Sequence, residues 1–303
     1  MLPSLNEGMG LSGVGIGLRS PHLSSLLDEQ NPLSQSVPWL EILADNYLDV
    51  GGLFAAHLSA LAERYPLTFH CVGMSIGSPE SVNVRYLTSL KRLADKHNPR
   101  LISDHLSWSN FKQERSHDLL PLCYTDNSLA RMIKHVNQVQ DILERPLMLE
   151  NVSAYYAHPE NALEEADFIH ALCDATGCYI LLDLNNLYVN HKNLDYDIHN
   201  YLKKLPIERI KQLHLGGHEA RGDFLVDTHG AAICDEVWSL YQEVISHFGP
   251  IPTLIEWDNN VPAFEDLMQE RNKADFIIQA ASNTYSLSNV GTTSGTPIGH
   301  NRG

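Results

Sequence analysis

Short apolar runs alternate with longer segments of helical periodicity along most of the chain. The runs are GVGIGL (13–18), WLEIL (39–43), LTFHCVG (67–73), RLISDHL (100–106), LMLENV (147–152), YILLDL (179–184), IKQLHLG (210–216) and TLIEW (253–257). Most are unbroken β-branched or leucine-rich stretches, as in strands buried on both faces of a parallel sheet. Between them, residues 79–97, 126–143, 161–176, 235–248 and 262–280 read as helices. In the second, Leu129, Met132, Ile133, Val136, Val139 and Leu143 recur at helical spacing. Gly177 follows the third helix, where a C-terminal glycine is expected. Eight strand-then-helix units predict an α/β fold closed as a (β/α)8 TIM barrel. The rival, an open doubly wound sheet, calls for a phosphate loop after an early strand. The glycines at 13, 15 and 17 lack the G-x-G-x-x-G spacing. The pattern assigns residues 1–281 to one barrel domain. The Ser-, Thr-, Asn- and Gly-rich segment 282–303 is expected to be a disordered or loosely attached tail.

Composition narrows the partners. The 303 residues are 43% hydrophobic, enough for a large core, and the net charge is −16. Such a surface repels phosphate backbones and disfavours nucleic acid. Part of the acidic excess is explained if carboxylates neutralise bound cations. Five cysteines without zinc-knuckle spacing read as reduced, mostly buried thiols of a cytoplasmic protein. The first residues have neither a basic n-region nor a long apolar run, and no membrane span is expected.

The chemistry lies at the strand ends, where a barrel of this kind gathers its reactive groups. His70 falls late in the third run, His105 at the end of the fourth and Glu150 in the fifth. Asp183 ends the sixth, with Asn186 three residues on. His214 ends the seventh, and Asp227 and His229 follow in its loop. Glu256 closes the eighth. Each alone is more often a hydrogen-bonded core or ion-pair residue. Together they place four carboxylates and four imidazoles at one mouth, where only the first segment contributes an arginine, Arg19. Buried charges of one sign need opposite charge nearby, so metal cations are expected. Imidazole and carboxylate without thiolate suit Fe, Mn or Zn. One site would use His70, His105 and Glu150. A second would use Asp183, His214 and Glu256, with Glu150 bridging. A third would use Asn186, Asp227 and His229. In VDTHG (226–230) an extended backbone would aim Asp227 and His229 the same way. Asn46, Asp104, Asn151, Asn185, His218 and Asp258 flank these ligands as candidates to orient them. Asp258 is a candidate proton acceptor, and His218 a candidate for a structural or substrate-contacting role.

The ordered ligand types resemble the xylose isomerase-like barrel superfamily. A closer resemblance covers residues 13–280, through GVGIGLRSPH, WLEILADNY, FHCVGMSIGS, LISDHLSWS, HDLLPLCYT, LMLENVSAY, LLDLNNLYVN, QLHLGGH, DTHG and PTLIEWD. These runs are similar to the DUF692 family of multinuclear non-heme iron-dependent oxidative enzymes, which includes the methanobactin-forming oxidase. LADNY and SDH depart from the family's commoner forms without touching a proposed ligand. The resemblance implies two or three irons of mixed Fe2+/Fe3+ state, O2 as co-substrate, and modification of cysteine in a ribosomally made precursor peptide. It also implies a leader-recognising partner protein, in a heterodimer. Rival readings within the superfamily are a Zn- or Mn-dependent hydrolase or phosphodiesterase and a sugar isomerase.

Overall fold

The computed structural model describes residues 10–111 and 114–290. All eight predicted runs form strands: β1 (Val14–Gly17), β2 (Leu40–Leu43), β3 (Leu67–His70), β4 (Ile102–His105), β7 (Leu147–Glu150), β8 (Tyr179–Asp183), β9 (Ile210–Leu215) and β12 (Thr253–Ile255). They pair in parallel in the closed order β1-β12-β9-β8-β7-β4-β3-β2. Two antiparallel hairpins, not anticipated from the sequence, extend the loops above the strands' C-terminal ends. They are β5 (Ser107–Phe111) with β6 (Glu114–Pro121), and β10 (His218–Arg221) with β11 (Phe224–Asp227).

The period of two within each strand sorts the core into two bodies. Outward residues such as Ile16, Ile42, Phe69, Leu149 and Leu182 join the helices in the main apolar cluster. Inward ones form a separate cluster inside the barrel: Leu11, Trp39, Leu101, Met148, Leu181 and Leu254. On β1 the inward position is Gly15, because the Trp39 ring occupies the space a methyl group would need. Two residues further along, the lumen turns polar at Glu41, Ser103, Glu150, Asp183 and Glu256, all buried. Thr68 and Gln212 are followed in the same way by His70 and His214. The barrel is thus apolar at its base and ionisable at its C-terminal face.

Helices flank the strands, and their boundaries follow local chemistry. The helix Val84–His97 starts five residues later than predicted because the Asn83 side chain accepts from Tyr86 N and caps it. Glu165–Thr176 starts late because Asn161 is spent on a loop contact, its Oδ1 accepting from Tyr124 N. Asp126–Leu143 opens with a Thr125–Ser128 capping box. Leu184–Leu194 begins directly after β8, capped by Asp183. The last helix runs Phe264–Val290, so residues 282–290 of the expected tail are helical. Residues 291–303 lie outside the described part, as do residues 1–9.

Candidate metal centre

Strand ends bring the predicted ligands into three contiguous groups. In the first, Nε2 of His70 and Nε2 of His105 lie 3.4 and 3.3 Å from Glu150 Oε2, and 3.3 Å from each other. The other Glu150 oxygen, Oε1, faces His214 Nδ1 at 3.4 Å, and that nitrogen is 2.8 Å from Glu256 Oε2. With Asp183 this makes a second group, whose four ligand atoms lie within 4.8 Å of one another. Glu150 therefore presents one oxygen to each group. His229 adds the third. Its Nε2 is 2.8 Å from Asp227 Oδ1 and 3.6 Å from Asp183 Oδ2. Its Nδ1 is 3.2 Å from Glu256 Oε2 and 3.6 Å from Asp258 Oδ2.

Several of these atoms are buried without a hydrogen bond: Glu150 Oε2, Asp183 Oδ2, Asn186 Oδ1, His214 Nδ1 and His229 Nε2. Their neighbours are close, but the approaches lack hydrogen-bond geometry. Leaving such atoms unpaired is costly, and here the lone pairs converge on shared points. The ionisation balance agrees. Burial opposes charge on His105, yet Glu150 and Asp104 outweigh it and push the imidazole up to about 9. His214 and His229 are raised well above the ordinary range against the same burial, by Glu41 and Glu256 for the former and by Asp227 and Glu256 for the latter. Burial drives Asp183 well up, while the His229 and His214 charges overcome burial to hold Glu256 well below its usual value. The cluster therefore demands positive charge. Nitrogen and oxygen donors in this number fit divalent transition-metal cations.

A supporting layer fixes each ligand. Ser103 Oγ sits 2.8 Å from His70 Nδ1, and Asp104 Oδ1 accepts from His105 N at 2.6 Å. Glu41 Oε1 lies 3.0 Å from His214 Nε2, while its Oε2 accepts from Thr68 and from Gln212. Asn151 brackets Asp183 by accepting from its N–H and donating to its carbonyl. Asn185 donates to Asp227 Oδ1 at 2.9 Å, and its own oxygen is 2.8 Å from His218 Nδ1. Such partners orient ligands and set their basicity.

The cluster floors a cavity of about 610 Å3. Its rim is made by Leu119, Leu120 and Pro121 of β6, and by Tyr155 and Tyr156, both about half exposed. Among the described residues lining it, Arg19 is the one Lys or Arg. Its Nε donates to Asp258 Oδ1 at 3.1 Å, and its Nη2 lies 3.8 Å from Glu256.

The chain matches the family model described as RiPP precursor modification enzyme MbnB/TglH/ChrH over residues 13–279. It belongs to this family. A UPF0276 protein of Acaryochloris marina is 45% identical over 265 residues, covering 88% of this chain and 94% of its own length. One from Chromobacterium violaceum is 43% identical over 272 residues, covering 89% and 97%. Among solved structures, L-ribulose 3-epimerase superposes with a TM-score of 0.57 at 16% identity over 93% of this chain and 99% of its own. Endonuclease IV from Thermus thermophilus gives 0.54 at 14% identity over 90% and 99%. At that identity the likeness is one of fold: this family member shares the (β/α)8 TIM barrel of those proteins.

The architecture refines several sequence expectations. The extended backbone expected for VDTHG is interrupted. Asp227 ends β11, but His229 has a left-handed φ of 42°, so the two are not successive residues of one strand face. They converge because the turn folds the imidazole back. Gly216 makes this possible, since a methyl group there would overlap the His229 ring. Around the third group, His229 lies with Glu256 and Asp258 as well as with Asp227, while Asn186 donates its N–H to Asp183 and its side-chain amide to Asn151 and keeps a buried Oδ1 without a hydrogen bond on the cavity lining. Asp227 touches His229 from the opposite side. His218 does not line the cavity; it stacks near Tyr188 and acts on Asp227 through Asn185. Glu41 was missed, although a lone carboxylate at the inward position of WLEIL was the available signal.

Proposed function

We propose that this family member is an iron-dependent oxidase that uses O2 to modify cysteine in a ribosomally made precursor peptide. It would act in the cytoplasm, beside a leader-recognising partner protein with which it forms a heterodimer. The observation that carries the reading is the convergence of His70, His105, Glu150, His229 and Glu256 on the floor of a cavity of about 610 Å3, with Asp183 and His214 buried just beneath them and several of their atoms unpaired. Membership in a peptide-modifying family supplies the substrate class. The five unpaired cysteines agree with a reducing compartment.

Two or three irons would be held by His70–His105–Glu150, by Glu150–Asp183–His214–Glu256, and by Asn186, Asp227 and His229. Iron held there supplies a binding site for the substrate thiolate and the electrons that O2 requires. The protein's own residues do the rest. The rim formed by Leu119–Pro121, Tyr155 and Tyr156 receives the peptide and shields the cavity from water. Glu41, Ser103, Asp104 and Asn151 keep the ligands in register. Arg19 occupies one oxygen of Asp258 and leaves Oδ2 facing the cavity as the proton acceptor for the substrate. The test is metal analysis and visible spectroscopy of anaerobically purified protein. More than one iron per chain, with absorption bands that change on adding a cysteine peptide but not its serine analogue, is expected. Stoichiometric zinc without iron would point to hydrolytic chemistry instead.

A further inference from the structure

Outside the barrel mouth the described residues contain another set of metal-capable side chains. Cys123 follows β6, and His158 and Glu160 lie in the loop after β7. One ligand atom from each lies within 4.8 Å of the others. We propose that Cys123, His158 and Glu160 form a rim site for a zinc-type divalent transition-metal ion, separate from the barrel cluster.

Three features carry this. The donor set is mixed, with one thiol, one imidazole and one carboxylate. That is chemistry suited to a borderline ion such as Zn2+ or Co2+, and not to Mg2+ or Ca2+. Three protein ligands leave a fourth position for water. The geometry is held mostly by backbone; of the three side chains, His158 accepts at Nδ1 from Glu160 N at 3.4 Å, which leaves Nε2 for an ion. Ala162 N and Leu163 N both donate to Tyr124 O, at 2.9 and 3.0 Å, and Tyr124 N donates to Asn161 Oδ1. The Cys123 carbonyl accepts from Thr125 N and from Ser128 Oγ, which fixes the residue that bears the thiol. Finally, Cys123 and His158 are half-buried and Glu160 is exposed, so an ion can reach them from solvent. Binding involves no redox step: the thiol proton leaves to water as the sulfur–metal bond forms.

Cys123 is two residues beyond Pro121, and His158 two beyond Tyr156, both of which line the central cavity. An ion here ties the β5–β6 hairpin to the loop after β7, and so sets the spacing of two rim segments.

The test uses metal-stripped, reduced full-length protein titrated anaerobically with Co2+. The barrel ligands are nitrogen and oxygen only, so a thiolate-to-cobalt charge-transfer band cannot come from the barrel cluster, and its loss in Cys123→Ser assigns it to the rim site. One equivalent of cobalt producing that band is expected. Cys123→Ser and His158→Ala should each abolish it and lower cobalt content by one per chain, with circular dichroism and the remaining cobalt content unchanged. No thiolate band, or a band that survives Cys123→Ser, overturns the proposal. Loss of the barrel ions in a His214→Ala variant leaves the band in place, which separates this site from the iron reading.

Discussion

Metal removal is where the barrel cluster should betray itself in stability. Six carboxylates crowd the cluster: Glu41, Glu150, Asp183, Asp227, Glu256 and Asp258. Arg19 is the one permanently charged side-chain cation lining the cavity among the described residues. A ligand that binds the folded chain only adds about 2.7 kcal/mol at 100 times its Kd and about 4.1 kcal/mol at 1,000 times. Two ions therefore contribute about 5–8 kcal/mol. For a domain of this size each kcal/mol moves Tm by about 2–4 °C, which predicts a fall of about 10–30 °C on stripping. The assay is scanning calorimetry of loaded and chelator-treated protein, with metal content measured on the same samples. Glu150→Gln removes the negative charge and leaves a single oxygen for the two groups that Glu150 serves, so the gap between loaded and stripped melting should narrow. A stripped, demonstrably metal-free protein that melts within a degree or two of the loaded one would refute the reasoning, because the carboxylates would then be tolerated without cations.

Three other outcomes are expected. Glu165 lies against a second cavity, where burial raises its carboxyl to about 7 despite hydrogen bonds from Tyr201, Tyr124 and Tyr196. Its folded pKa exceeds its unfolded one, so its stabilising effect is full below about 4.5 and is lost as pH rises toward 7, a swing of about 3 kcal/mol; urea unfolding at pH 5 and 7.5 should show that this increment vanishes in Glu165→Gln. Gly216→Ala should cost about 1–3 kcal/mol by displacing the His229 ring, and metal content should drop with it. Glu41→Gln should weaken metal affinity about 10–100-fold in chelator competition while peptide binding to the rim stays intact, since Glu41 touches His214 and not the cavity.

The eight strands were legible because mostly apolar runs of five to seven residues have little else to become in an alternating chain. The candidate ligands were legible for a related reason: a His, Asp or Glu ending such a run has no apolar neighbour to hide behind. What escaped was set by contacts remote in sequence. The β10–β11 hairpin turns at Gly222, in left-handed conformation, but its residues His218–Arg221 carry no apolar alternation to announce a strand. The approach of Asp258 to His229 depends on a backward-folded turn for which Gly216 leaves room. Glu41 hid inside WLEIL because the run was read as apolar on both faces, whereas its central position points into the lumen.

Closure between β1 and β12 has a consequence for the order of assembly. Glu256, which serves two of the three ligand groups, sits just past the final barrel strand, and the partner of that strand is the first one made. During synthesis the His70–His105–Glu150 trio emerges from the ribosome long before its neighbours can exist. The full centre can be charged only after the last unit has docked against the first. A chain truncated before β12 would therefore lack the Glu256 carboxylate, and loading of the full centre would wait on completion of the ring.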